Sequence, residues 1–256
     1  DITWSWAGTV PEVKIEYSTD GGATFNVIAA AENTGVYSWI VPDEITAEFK
    51  VRISDLNDST AYDISDSNAK IRAKFTLQTP NGGEELTVGE EYSISWDCVG
   101  TVSDVRLDYS KDSGQTFDYV IVSSTPNSGS YSWKVPNAPP EGESRISTIR
   151  VRVMSTTDVD AFDISDNDFS IVRGILHILS PNGGERWVTR EEHTIEWETL
   201  QGSIPLVNIE YSKDDFVSDI HTIISSYENT ISPNSYTWSI PDDRSTTVKV
   251  RVSDIR

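Results

Sequence analysis

Apolar and polar residues alternate one by one through several short stretches of this chain. Val13, Ile15 and Tyr17 are interleaved with Lys14 and Glu16, Val105, Leu107 and Tyr109 with Arg106 and Asp108, and Val207, Ile209 and Tyr211 with Asn208 and Glu210. A period of two puts every second side chain on one face, as in a strand with one buried side. Val151 and Val153 alternate with Arg150 and Arg152 in the same way. Each run is bounded by Gly, Pro, Asn or Asp, the residues that punctuate strands. No stretch carries the apolar stripe of a surface helix. The pattern predicts an all-β chain.

These runs belong to phrases that are written three times. Ile-Thr-Trp (2–4) returns as Ile-Ser-Trp (94–96) and Ile-Glu-Trp (195–197). Tyr-Ser-Trp-Ile-Val-Pro (37–42) returns as Tyr-Ser-Trp-Lys-Val-Pro (131–136) and Tyr-Thr-Trp-Ser-Ile-Pro (236–241). A Val-Arg strand follows at 51–54, 151–155 and 250–253. A copy of roughly one hundred residues with about seven short strands is the size of one antiparallel β-sandwich. The fold expected is therefore three tandem immunoglobulin-like sandwiches arranged as an extended array. The copies divide at 1–74, which lacks its first strand, 75–173, which is complete, and 174–256, which lacks its last strands. Connectors of about three residues predict a stiff rod. The repeated Trp4, Trp96, Trp197, Trp39, Trp133 and Trp238 alternate with polar neighbours, which predicts core plugs between sheets. A sugar-binding aromatic platform is the alternative.

Charge narrows the choice of partners. Asp and Glu number 41 against 20 Lys and Arg, a net charge of −21. That balance argues against nucleic acid and anionic membrane surfaces. No apolar run reaches membrane-span length and no signal peptide is visible. Cys98 is the single cysteine, so no intrachain disulfide forms. It stands where the first copy has Trp6 and has no histidine nearby in its repeat, so it reads as an apolar residue and not a nucleophile. His177, His193 and His221 all fall in the third copy, without the spacing of a metal site or triad. No catalytic residue and no required cofactor is expected. Asn57-Asp-Ser59 matches the short glycosylation acceptor pattern.

Two motifs remain. Ser18-Thr-Asp20-Gly-Gly22-Ala-Thr24-Phe25 and Ser110-Lys-Asp112-Ser-Gly114-Gln-Thr116-Phe117 share Ser-x-Asp-x-Gly-x-Thr-Phe, which decays to Ser212-Lys-Asp214-Asp-Phe216 in the third copy. The pattern resembles the Asp-box of sialidases, where it is a structural turn. Here too it reads as a hairpin whose Asp accepts backbone hydrogen bonds. Pro80-Asn-Gly-Gly-Glu84 and Pro181-Asn-Gly-Gly-Glu185 lack the lysine and helix of a phosphate cradle and read as tight turns. Followed by the Ile-x-Trp, Tyr-Ser and Trp-x-Val-Pro phrases, this opening resembles bacterial and archaeal surface-protein repeats. These are similar to the Ser/Thr-rich Kre9/Knh1 cell-wall family. The resemblance implies extracellular β-sandwich modules of large surface proteins and carries over no catalytic residue.

Two acidic clusters are candidate cation sites. Asp55, Asp58, Asp63 and Asp66 lie in the first copy, and Asp158, Asp160, Asp163, Asp166 and Asp168 in the second. Closely spaced hard oxygen ligands suit Ca²⁺, although the spacing is not that of an EF-hand. Turn capping before the last strand is the competing reading. The function expected is a non-enzymatic segment of an extracellular surface, fibre or lattice protein, with its own neighbouring repeats, and copies of itself, as partners. The alternatives are a carbohydrate- or cell-wall-binding module, or an accessory region of a secreted hydrolase.

Overall fold

The computed structural model describes residues Asp1–Arg256, which form strands, turns and bends and no helix. The first repeat holds β1 (Ile2–Thr3), β2 (Glu12–Ser18), β3 (Asn26–Glu32), β4 (Val36–Tyr37), β5 (Thr46–Asp55), β6 (Tyr62–Ile64) and β7 (Ala69–Ile71). The middle repeat holds β8 (Lys74–Thr79), β9 (Glu85–Thr87), β10 (Glu91–Val99), β11 (Asp104–Ser110), β12 (Tyr119–Pro126), β13 (Ser130–Lys134), β14 (Arg145–Ser155), β15 (Phe162–Ile164) and β16 (Phe169–Val172). The third holds β17 (Ile175–Ser180), β18 (Glu192–Gln201), β19 (Leu206–Ser212), β20 (His221–Glu228), β21 (Asn234–Ser239) and β22 (Lys249–Asp254). The molecule is all-β, and no sheet spans two repeats.

In the middle repeat one sheet runs β13-β10-β8 and the other β12-β11-β14-β16-β9, with β15 also on β14. All pairs are antiparallel except β9 with β16. The chain thus starts in one sheet with β8 and changes to the other at β9. Between the sheets the alternating residues meet: Phe75, Leu77, Ile94, Trp96 and Trp133 on one side, and Val105, Leu107, Ile149, Val151, Val153 and Phe169 on the other. Asp108 breaks the alternation. It is fully buried because Arg106 and Arg152 both bond its carboxylate.

The third repeat builds the same sandwich with fewer strands, β17-β18-β21 over β20-β19-β22, around Trp197, Ile195 and Ile209. The first repeat keeps the β3-β2-β5-β6 sheet but faces it only with the two-stranded β1-β4. Its tryptophans show the consequence. Trp96, Trp133, Trp197 and Trp238 are buried, as core plugs should be, whereas Trp4 and Trp39 are only half-buried. Cys98 is half-buried, and its thiol contacts the Gly100 carbonyl.

Candidate functional site

Each repeat carries the same two polar devices across its sandwich. The indole Nε1 of Trp4, Trp96 and Trp197 donates to the amide oxygen of Asn33, Asn127 and Asn229 at 2.8, 2.7 and 2.8 Å. The Asn Nδ2 in turn donates to the backbone carbonyls of Val10, Val102 and Ile204. A large apolar ring can then be buried with its one polar atom satisfied. The second device uses the Val-Arg strand. Arg52, Arg152 and Arg251 bond the carboxylates of Glu16, Asp108 and Glu210. The same guanidinium groups lie 4.1, 4.4 and 4.3 Å from the ring centroids of Phe25, Phe117 and Phe216. The aromatic of the Asp-box-like turn therefore covers an arginine as well as the turn.

The turn itself forms as its residues dictate. Asp20 accepts from Thr24 N and Oγ1 and from Ser18 Oγ, and Asp112 and Asp214 do the same with Thr116 and Ser110, and with Ser218 and Ser212. The hydroxyl bonds of Thr24 and Ser218 hold Asp20 and Asp214 far below the usual carboxylate range. The Ser110 hydroxyl, with Thr116, lowers Asp112 to about 2. In the third repeat Phe216 occupies the place of Gly22 and Gly114, at a φ of 61°. From there its ring still reaches Arg251.

The acidic side chains of the middle repeat are bonded by the protein itself. In the middle repeat Asp163 accepts the Leu77 backbone N–H at 2.7 Å, tying β15 to β8. Asp166 exchanges two hydrogen bonds with Asn81, one from its backbone N–H and one to its carboxylate. Asp168 accepts from Arg150 and Ser113. Burial raises its pKa, but these two bonds outweigh it and hold the carboxyl below the usual range. Gly82 lies so close to Asn167 that a Cβ there would stand 2.4 Å from the Asn167 Cβ. The Pro-Asn-Gly-Gly-Glu turn is thus docked on the closing segment, while Glu84 caps it from within through the Asn81 and Gly82 N–H groups. In the first repeat Asp55 and Asp58 cap local turns, through Asn57 and Thr60, and Asp66 offers its carbonyl to Lys50. Asp63 lines an open groove. Nowhere are three His, Cys, Asp or Glu side chains gathered as an ion would require.

Asp158 and Asp160 face the first repeat. Lys70 Nζ lies 2.5 Å from Asp158 and 2.8 Å from Asp160, and Arg72 donates to the Asp160 carbonyl. The ammonium group stands between two carboxylates, where a cation would be drawn. Their hydrogen bonds raise the Lys70 pKa. At Asp158 burial raises the pKa, and the Lys70 bond and the backbone bond of Asp160 more than reverse it. At the same connector Asp43 accepts from the Thr101 N–H and hydroxyl.

The second connector is fastened differently. Gln201 Nε2 donates to the carbonyls of Ser144 and Arg173, both at 3.1 Å. Thr87 accepts the Ser203 N–H at 3.0 Å, and Arg256 reaches Glu90 at 3.7 Å. Gly174 packs against the Ile204 side chain, which a Cβ there would approach to 2.6 Å. Every hydrogen bond or ion pair that leaves a repeat ends on a sequence neighbour. Apart from Asp158 and Asp160 of the acidic cluster, none of the fastening residues belongs to a motif, and the partners are far apart in sequence, so nothing local signals the pairing.

No family model and no curated protein matches the chain. Among solved structures it is similar to the fibronectin(III)-like modules of Clostridium thermocellum CbhA, at 16% identity over 71% of this chain and 86% of that one, with a TM-score of 0.25. It is also similar to the FN1–FN3 domains of chicken CNTN1, at 13% identity over 98% of this chain and 85% of that one, again with a TM-score of 0.25.

Proposed function

We propose that this chain is a non-catalytic spacer segment of an extracellular surface or fibre protein. In this reading three sandwich modules set a fixed distance between whatever lies on either side. The observation that carries it is the bracing of both connectors. Lys70, Arg72 and Asp43 hold the first connector, and Gln201, Thr87 and Arg256 hold the second. Exposed ion pairs are individually weak, but several contacts across one short linker together oppose its bending. The partners in this reading are neighbouring repeats. The charge of −21 holds copies apart in dilute, low-salt solution. No helix is long and apolar enough to cross a membrane.

Small-angle scattering tests the reading. A braced array gives a radius of gyration well above the roughly 18 Å of a compact globule of this length. Replacing Lys70 and Arg72 by Ala should broaden the distance distribution without unfolding either neighbour. A compact particle, or a distribution unmoved by the double substitution, removes the rigid-spacer function. Repeating the measurement in chelator and in millimolar calcium asks whether divalent cations draw copies together.

A further inference from the structure

The middle repeat has an open side between its two sheets. Edge strand β12 borders one sheet and edge strand β13 the other. A cleft of about 490 Å³ runs between them, lined by Tyr109, Asp118, Tyr119, Tyr131, Trp133 and Lys134. Tyr109 touches both sides, its ring 4.9 Å from that of Tyr119 and 5.6 Å from that of Trp133. Tyr109 is only 7% exposed, whereas Tyr119 is 41% exposed.

The other repeats show what the Tyr109 hydroxyl lacks. Tyr17, Tyr109 and Tyr211 hold one place in the sheets, opposite Val51, Val151 and Val250. The Tyr17 hydroxyl donates to Glu44 at 3.0 Å, and the Tyr211 hydroxyl donates to Asp243 at 3.1 Å. Each acid stands two positions after the proline of the repeated Trp phrase, and at that position the middle repeat has Ala138. The turn is the same in the first two repeats, since the Glu44 and Ala138 N–H groups bond the Pro42 and Pro136 carbonyls at 2.9 and 2.8 Å. Only the carboxylate differs. The Tyr109 hydroxyl is left without a partner in the protein, on a side chain more than nine-tenths buried. Burial raises its pKa and Tyr119 adds to the shift, so it keeps its proton to donate. The cation of the set is still present. In the third repeat Lys213 Nζ pairs with Asp243 at 2.7 Å. Its counterpart Lys111 meets no carboxylate and rests over the Tyr119 ring, 4.4 Å from the centroid. Lys134 adds a second cation at the cleft, where the other repeats have Ile40 and Ser239.

We infer that this cleft binds a hexuronate, a six-membered sugar ring with a single carboxylate. The carboxylate takes the place that Glu44 and Asp243 fill from within in the other repeats. It accepts from the Tyr109 hydroxyl and pairs with Lys111, with Lys134 at the rim. One orphaned donor and two cations without acids together stabilise one negative charge. The rest of the cleft selects the rest of the ligand. Its volume is that of a small-molecule site, larger than a carboxylate needs. Tyr119, Tyr131 and Trp133 give an aromatic wall for the C–H face of a sugar ring. Asp118 accepts hydroxyl hydrogens and repels a second carboxylate. A partner protein or second copy rich in acidic side chains would meet the −21 charge of this chain, whereas a sugar acid brings one charge. The cleft lies within one repeat and works whether or not the array is rigid, so it stands apart from the spacer reading.

The test titrates the whole chain with the methyl glycosides of glucuronic and galacturonic acid, followed by calorimetry and by saturation-transfer NMR. At least one should bind saturably, with transfer to its ring C–H protons. The neutral methyl glucoside and galactoside should bind roughly tenfold more weakly, having lost a charge-assisted bond. Tyr109→Phe should weaken uronide binding about fivefold, the equivalent of one hydrogen bond. It should leave the melting temperature unmoved, because the hydroxyl bonds nothing in the protein. Lys111→Ala should weaken binding by a similar factor. Ala138→Glu restores the internal acid of the first repeat and should abolish binding. If that variant does not fold, Tyr109→Phe and Lys111→Ala decide the matter. Absence of saturable binding by both uronides overturns the inference. So does a neutral glycoside that binds as tightly, or full affinity in Tyr109→Phe. Equal affinity for acetate, or for glutamate with both ends blocked, would assign the cleft to a carboxylate without its sugar and overturn the inference too.

Discussion

Val41 and Val135 hold the same place in the Tyr-Ser-Trp-x-Val-Pro phrase, yet Val41 is 53% exposed and Val135 is 2% exposed. Ala61 is exposed where Ala161 is buried, and Ile53 is half-buried where Val153 is fully buried. The two repeats share strands, turn, Trp–Asn bond and arginine sandwich. They differ in two strands, β8 and β9, and the turn between them. Local pattern is enough to form a sheet, but a core needs a second sheet wide enough to cover the first. The gap lies in the cover, so the cost falls on residues remote from it in sequence.

The widest contrast should come from the tryptophans. Trp96→Ala removes a buried ring from a closed core and should cost about 3–5 kcal/mol. Trp4→Ala, at a groove edge, should cost about half that or less. Denaturant unfolding of the two variants checks this, and equal losses would mean that the first core is as closed as the middle one. Next comes the acid that ties β15 to β8. Asp163→Ala leaves the Leu77 N–H unpaired and should cost about 1–3 kcal/mol. Asp63→Ala should stay within about 0.5 kcal/mol, as surface changes do.

Acid sharpens the comparison further. Asp20, Asp112, Asp214, Asp158 and Asp168 all have folded-state pKa values below their ordinary ones, that of Asp112 at about 2. A depressed carboxylate stabilises the fold above its unfolded pKa, and the contribution fades as pH falls through the folded value. Thermal stability should therefore hold down to about pH 4 and decline from there toward pH 2. The hairpin turns decline alike in all repeats. The Asp168 closure and the Asp158 brace are lost only where the middle repeat supplies them. A melting temperature unchanged between pH 4 and pH 2 would contradict this assignment.

The smallest effect concerns the third turn. Phe117→Ala removes a ring from Arg152 and relieves nothing, costing about 1 kcal/mol. Phe216→Gly removes a ring from Arg251 but also relieves a positive φ, worth about 1 kcal/mol or more. The two terms nearly cancel, so its unfolding free energy should move by less than about 0.5 kcal/mol. A loss as large as that of Phe117→Ala would show that the backbone there carries no strain.

How legible this was in sequence follows the same division. The alternation of Val105, Leu107 and Tyr109 predicts β11 because strand facing is local, and the phrase repeats transfer it to β2 and β19. Trp96 as a plug was readable for that reason. The half-burial of Trp4 was not, because it depends on a strand that the phrase around Trp4 does not contain. Repeated Asn33, Asn127 and Asn229 were a visible signal for the indole partner, hidden because each lies some thirty residues from its Trp. The Asp-rich segments look alike whether they face a calcium ion, a lysine or a backbone N–H. Only the fold brings Lys70 to Asp158 and Leu77 to Asp163.

The parallel pairing of β9 with β16 matters when the chain is pulled. These strands lie near the start and finish of the middle repeat, with Ser170, Ile171 and Val172 set against Glu85, Leu86 and Thr87. Tension drags parallel neighbours in opposite directions along their common axis. Their bonds then meet the force side by side and share it, instead of unzipping one after another as at a hairpin end. Traction from the first repeat meets β8 before it meets β9, so this shear-loaded pair should bear the load once β8 has been drawn off its own sheet.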